Sequence, residues 1–202
     1  GVGNMYDNEL ISGKLRRWSN YLHKHNLPEW EQLPDFGLYM DQVQTLLAQY
    51  LSFLPQDSDE QVITTSAINN YVRTGIMPPP NRKKYERIHI AYLIMICSLK
   101  QSLSMSEIQK IIPSGLSEDE IRSAYTDFVR QYTDSVNFFV ELVEEVAKDT
   151  FQETDAVCDV DAGIQSFVLL TAVIANFSKL LTTKLLALQN CPFSAAAVAD
   201  KE

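Results

Sequence analysis

Four polar side chains, Ser66, Asn69, Asn70 and Arg73, recur at steps of three and four within residues 65–74. On a helix this spacing sets them on one face, opposite Ile68 and Val72, with Tyr71 beside the apolar pair. An Asn amide can make a two-bond contact to the edge of adenine. An Arg can do the same to guanine or pair with a phosphate. Further on, past Pro78, Pro79 and Pro80, stand Arg82, Lys83, Lys84 and Tyr85, three cations and a phenol of the kind that clamp backbone phosphates. Each pattern also has a plain reading: a solvated helix face for the first and a soluble surface loop for the second.

Positioning such groups needs short, sharply ended elements, and the flanking residues supply the signals. Thr64 or Thr65 can cap a helix over 65–74, and Gly75 can stop it. The three prolines forbid its continuation and give a stiff extended segment. Residues 81–84 then read as a turn, and 87–101 as a helix. Ser104 and Glu107 form a capping box for a short helix ending before Pro113, and Ser117 and Glu120 form a second box for a long helix reaching about 150. Along that long helix Ile121, Tyr125, Phe128, Tyr132, Val136, Phe139, Val143 and Ala147 keep steps of three and four.

Upstream, residues 9–25 form a helix with Leu10, Leu15, Trp18 and Leu22 near one face. A linker bracketed by Pro28 and Pro34 follows, then a helix over 38–54 and a polar acidic loop over 55–61. Downstream, 155–163 is a loop, 165–189 a final apolar helix, and the tail from 195 is frayed. The expected class is therefore all-α, divided into a helical extension and linker (1–37), a compact multi-helix unit (38–113) and an acidic helical hairpin (114–202).

Charge separates the last two units. Residues 63–112 carry seven Lys and Arg against two acids, a local balance of +5 in a chain whose total is −9. The acidic total opposes indiscriminate binding to nucleic acid or anionic membranes, while the basic island localises an anion-binding face. Cys97, Cys158 and Cys191 are odd in number and widely spaced, which suits free thiols in a reducing cytoplasm. No apolar segment follows a basic one at the start, so no secretory leader is expected. The apolar run 167–188 is interrupted by Asn176, Lys179 and Lys184, which favours a buried or dimer-forming helix over a membrane span.

Other chemistry is thinly represented. No GxSxG, HExxH, P-loop or dinucleotide-binding glycine pattern occurs, and three histidines leave little for acid–base work, so the reading is not an enzyme. His23 and His25 point to different helix faces, and His89 suits a cap or the surface. Asp155, Cys158, Asp159 and Asp161 share one loop but lack a calcium-binding pattern. Neither metal nor cofactor is expected. Tyr125, Phe128, Phe138 and Phe139 read as core in preference to an effector pocket.

Tyr71, Gly75, Ile76, Met77, Pro78, Pro79, Lys84, Tyr85, Leu93, Ser104, Glu107 and Ile108, in this order and spacing, resemble the winged helix-turn-helix of MerR-type regulators. The segment 38–47 (LYMDQVQTLL) stands as the first helix of that motif. Over the whole chain, LYMDQV, INNYV, KYERIHIAYLIMI and SEIQKII are similar to an uncharacterised bacterial family, the domain-of-unknown-function family eighteen-thirty-six. The first resemblance implies a winged domain with a small wing, a long helix that dimerises after it, and double-stranded DNA as partner. Its phosphate-contact role falls on Lys84 and Tyr85. Ser66, Asn69, Asn70, Arg73, Arg82 and Lys83 come from the helix wheel and the basic turn. Asn69 stands where that family commonly has Arg, the loop over 52–61 is long, and the wing lacks a Gly before its cations. The expected function is a cytoplasmic, dimeric transcription regulator without a membrane segment, with an unknown small molecule as effector of the hairpin. The alternatives are a protein-interaction module that has lost DNA binding, or a small-ligand sensor.

Overall fold

The sequence RIHIAYLIMICSL has apolar residues on every side of a helix, and a helix of that kind must be enclosed. In the computed structural model, which describes residues 7–24, 26–54, 62–112, 114–151 and 160–189, this segment is α4 (Arg87–Leu99), with every side chain from His89 to Cys97 buried. The preceding helices are α1 (Asn8–Lys24), α2 (Met40–Tyr50) and α3 (Thr65–Arg73), with a 3-10 turn at Trp30–Gln32. The following ones are α5 (Met105–Ile111), α6 (Glu118–Phe151) and α7 (Val160–Ala187). Among the described residues there is no strand; two isolated antiparallel bridges, Leu38 with Tyr85 and Asn81 with Lys84, are the extended pairings found. The fold is all-α.

The core gathers around α4. Val43 and Leu47 come from α2, Ile68 and Tyr71 from α3, Ile108 from α5, and Leu27, Trp30 and Leu33 from the linker. Ile121, Tyr125 and Val129 of α6 belong to this same core, which therefore continues past residue 113. The Tyr125 hydroxyl donates to the Pro28 carbonyl at 2.7 Å, and its ring lies 6.1 Å from that of Trp30. Arg87 fixes the linker from the other side, with Nε donating to the Leu33 carbonyl at 3.1 Å and its guanidinium 5.9 Å from the Trp30 ring.

Both capping boxes form. The Ser104 N–H donates to Glu107 at 2.8 Å, and the Ser117 N–H donates to Glu120 at 2.8 Å. Of the stripe read from its spacing, the long helix buries Ile121, Tyr125 and Val143 and half-buries the rest, inside its own chain, against α4 in its first half and α1 in its second.

Four expectations change. Phe138, read as core, is exposed on α6, one position along the helix from the face that Phe139 turns toward α1. On α1, Leu10 and Trp18 are exposed, and Ser19 is the buried residue. A small side chain lets α1 approach α6, while Trp18 reaches across to meet Phe139 edge-on at 6.0 Å. The final helix begins at Val160 instead of 165, inside the segment expected to be a loop. Most of its apolar side chains are also exposed, Ile164 being buried: the stretch Ala162–Ala187 is long and apolar enough to cross a membrane, yet its own chain encloses little of it.

Candidate functional site

Helix α3 is short and firmly ended. The Thr64 hydroxyl accepts from the Ala67 N–H at 3.1 Å, which satisfies one of the free N–H groups of the first turn. Gly75 has φ +73°, a conformation that side chains disfavour, and reverses the chain there. Ile76 N–H then donates to the Tyr71 carbonyl at 3.0 Å and Gly75 N–H to the Val72 carbonyl at 3.1 Å, closing a Schellman motif. Ile68 and Tyr71 face the core, leaving Ser66, Asn69 and Arg73 exposed as the wheel requires. Asn70 is half-buried, and its Oδ1 accepts from Arg73 Nη2 at 2.6 Å. Asn69 is thus the freer of the two amides, and Arg73 is braced along its own helix.

The segment after Gly75 is held at several points. Ile76 and Met77 are buried, and the Pro79 carbonyl accepts from His89 Nε2 at 3.2 Å. Asn81 and Lys84 then exchange backbone hydrogen bonds of 3.0 and 2.9 Å around a two-residue turn. Arg82 and Lys83 occupy that turn at φ 49° and 65°. Left-handed geometry at both positions is the type I′ pattern, which matches strand twist and ordinarily selects Asn-Gly. Here two long cations occupy it, at a strain of about 1–2 kcal/mol per residue.

Lys84 and Tyr85 anchor the hairpin base. Tyr85 and Leu38 exchange two backbone hydrogen bonds of 2.8 Å each. The Lys84 ammonium lies 5.5 Å from the Tyr39 ring. Tyr85 is buried, with its ring edge-on to His89 at 5.6 Å and its hydroxyl pKa raised by that burial. It therefore stands apart from the exposed set, as a pillar under the turn. Arg82, Lys83 and Lys84 are exposed, and among the described residues neither they nor Arg73 form an ion pair. Other cations of the basic island are spent internally: Arg87 on the linker and Lys100 on the Val62 carbonyl at 3.1 Å.

His89 takes the capping role expected of it, but within the core. It is buried, not at the surface, and its Nδ1 accepts the Glu86 N–H at 2.9 Å, the place usually taken by Glu or Gln in a capping box. Since a carbonyl can only accept, the proton must sit on Nε2. Cys97 is also buried, which pushes its thiol up to about 11 and leaves it protonated and inert. Tyr39 was missed; an aromatic at a helix start becomes informative only once Lys84 is seen above it.

Two grooves lie away from this region. One of about 380 Å³ runs between α1 and α6, with Arg16, Ser19, Val143, Glu144 and Lys148 in its walls. Another of about 320 Å³ lies along α2, with Pro34, Phe36, Leu38 and Leu46. His23 is exposed on α1, and no group of three or more His, Cys, Asp or Glu that could hold a metal occurs among the described residues. His25, Asp155, Cys158, Asp159 and Cys191, and the side chain of Asp161, lie outside the described residues.

Residues 28–133, just over half of the chain, match the model of a family described as Domain of unknown function (DUF1836). The matched region runs from the linker through α2–α5 and the core-packed half of α6, so it coincides with the unit built around α4. No curated protein and no solved structure matches the chain.

Proposed function

We propose that this chain, which belongs to the DUF1836 family, is a DNA-binding regulator whose α3 reads the major groove while the 81–84 hairpin grips phosphates. The reading takes the helices as a MerR-like winged helix-turn-helix with a wing reduced to one turn. The observation that carries it is Arg82 and Lys83 at positive φ on a pinned hairpin, with no ion-pair partner. Strain of this kind at a rigidly supported tip points to function, since a looser turn would carry the same charges more cheaply. Cations so displayed suit a phosphate backbone, and the polar face of α3 supplies Ser66, Asn69 and Arg73 for base edges. On this reading Tyr85 supports the wing and does not itself touch phosphate. A pair of copies on a twofold site is the arrangement such regulators use.

The direct test is selection of genomic DNA fragments by the purified chain at physiological salt, beside Asn69→Ala/Arg73→Ala. Enrichment of one motif by the parent alone supports the reading. If neither protein enriches a motif above background, or both enrich the same motif equally, α3 is not a reading helix.

A second reading, a small-ligand sensor, is favoured by the groove between α1 and α6. Its volume falls in the range of small-molecule sites, and Ser19 is a buried hydroxyl in its wall. A ligand there would act on α6, which also packs on α4. A screen of small metabolites for a rise in thermal midpoint, repeated on Ser19→Val, tests it.

A further inference from the structure

Nine large apolar side chains between Val168 and Leu188 stand 40–65% exposed. Together they leave on the order of 900 Å² of apolar surface uncovered, well above the few hundred Å² tolerated on a monomer and near the ~800 Å² per partner of a standard stable interface. We infer that a second copy of the chain docks on the outer face of α7, so that the two α7 helices form the centre of a symmetric dimer.

The pattern along α7 favours a helix as occupant. Leu170, Val173, Phe177, Leu180, Lys184 and Leu188 follow one another at steps of three and four, the repeat of a helix–helix seam with one polar position. The inner side of α7 is already taken, with Ile164 buried. Further along, Thr183 Oγ1 donates to Glu107 Oε1 at 3.0 Å, and Gln189 Nε2 donates to the Lys110 carbonyl at 3.0 Å. Glu107 is held low by the Ser104 N–H and hydroxyl, then by Thr183, and it also feels the charge of Lys179. Helix α7 is thus keyed in rotation against α5, with its apolar stripe turned outward.

A bilayer fits less well. Spanning one would strip α7 from α5 and draw Asn176, Lys179 and Lys184 toward hydrocarbon. The region from 114 onward carries 6 basic and 15 acidic residues, which anionic lipid headgroups repel. Equal copies meeting across a twofold axis need only present the same stripe to each other, an isologous contact that closes at two. It places the dimer contact on α7, since the stripe of α6 already packs on α4 and α1 of its own chain. It stands whether or not the hairpin binds DNA.

The test is the mass of the full chain by analytical ultracentrifugation, without DNA, over a dilution series. The expected result is a species of twice the 22.9 kDa chain mass, dissociating at least 100-fold more readily in Val173→Glu/Phe177→Glu. Both positions are surface sites in the single chain, so circular dichroism should show unchanged helix content. Phe138→Glu, at an exposed site on α6, should leave the dimer intact. Independently of any substitution, the thermal midpoint of the wild type should rise with protein concentration. A wild-type monomer with a concentration-independent midpoint would overturn the inference. So would a dimer indifferent to the double substitution, a dimer broken by Phe138→Glu, or uptake of the chain by vesicles of phosphatidylcholine and phosphatidylglycerol.

Discussion

His89 joins the start of α4 to the proline run through one ring: Nε2 donates to the Pro79 carbonyl at 3.2 Å while Nδ1 accepts the Glu86 N–H at 2.9 Å. A second proton has nowhere to go, because at Nδ1 it would face the Glu86 N–H. Burial lowers the His89 pKa, and it outweighs the opposing pull of the Pro79 carbonyl and of Glu86. The unfolded chain therefore takes up a proton near the ordinary value of about 6.5, at a pH where the folded chain does not. Stability should be flat above that pH and fall as pH drops below it, until the lower folded value is passed. Urea midpoints at about pH 7.5 and about pH 5.5 measure this. His89→Gln keeps an acceptor at the capping position but loses the tie to Pro79. It should be less stable at the higher pH by about 1–2 kcal/mol and should show a flatter profile across the window. An unchanged profile would assign the pH dependence elsewhere. The lowered carboxyls of Glu31, Glu107 and Glu120 act only at more acidic pH, where their stabilisation is lost as they protonate.

Gly37 reports on the hairpin base. A Cβ there would stand 2.9 Å from Lys84 Cβ and 3.1 Å from its Cδ. Lys84 Cβ cannot swing away without moving backbone that is paired to Asn81 and adjoins the Leu38–Tyr85 bridge. Gly37→Ala should cost about 1–2 kcal/mol and shift the amide resonances of residues 81–85. Gly13→Ala is the matched control. Its Cβ would meet only the end of Arg17 at 4.0 Å, within α1, so it should stabilise by up to about 1 kcal/mol.

Tyr125→Phe isolates one buried hydrogen bond. The hydroxyl donates to Pro28 across the core, and burial raises its pKa far above the usual tyrosine range. Removing it leaves the carbonyl unpaired with no change in ring packing, a loss of about 1–3 kcal/mol. A thermal midpoint within about 1 °C of wild type would show that water replaces the hydroxyl.

How far the sequence could be read depended on the range over which each feature is determined. Thr64, Gly75, Ser104 with Glu107, and Ser117 with Glu120 act within a few residues, and each structural role matches its local signal. The all-α class and the buried stripe of α6 follow from periodicity in the same way. Ser19 could not be foreseen as the buried residue of α1, because which face turns inward depends on α6, far along the chain. Tyr85 sits in a basic run and reads as a ligand contact, yet its place is set by pairing with Leu38 and an edge-on contact with His89. The apolarity of α7 was plain; that its own chain covers so little of it is a property of the packing. The exposed polar set on α3 was legible because Ile68 and Tyr71 fix its orientation from within the helix.

If the proposed DNA contact holds, the turn at Arg82 and Lys83 should let stability and binding be moved in opposite directions. Asn-Gly is the pair that type I′ geometry favours, so Arg82→Asn/Lys83→Gly should relieve the positive-φ strain and stabilise the fold by about 1–2 kcal/mol. The same substitution removes two cations from the tip. If these meet phosphates, DNA affinity should drop at every sequence tested, and the slope of log K against log salt should flatten by about 0.9 per lost contact. Arg82→Gln/Lys83→Gln removes the charge and keeps side chains in the strained turn. It should show the binding loss without the gain in stability. Urea denaturation and fluorescence anisotropy with duplex DNA measure the two effects on the same preparations. A stabilised Asn-Gly variant with undiminished DNA binding would mean that the strained cations serve some purpose other than gripping phosphate. Loss of binding in both variants, with stability gained in only one, would separate the role of charge at the tip from that of turn geometry.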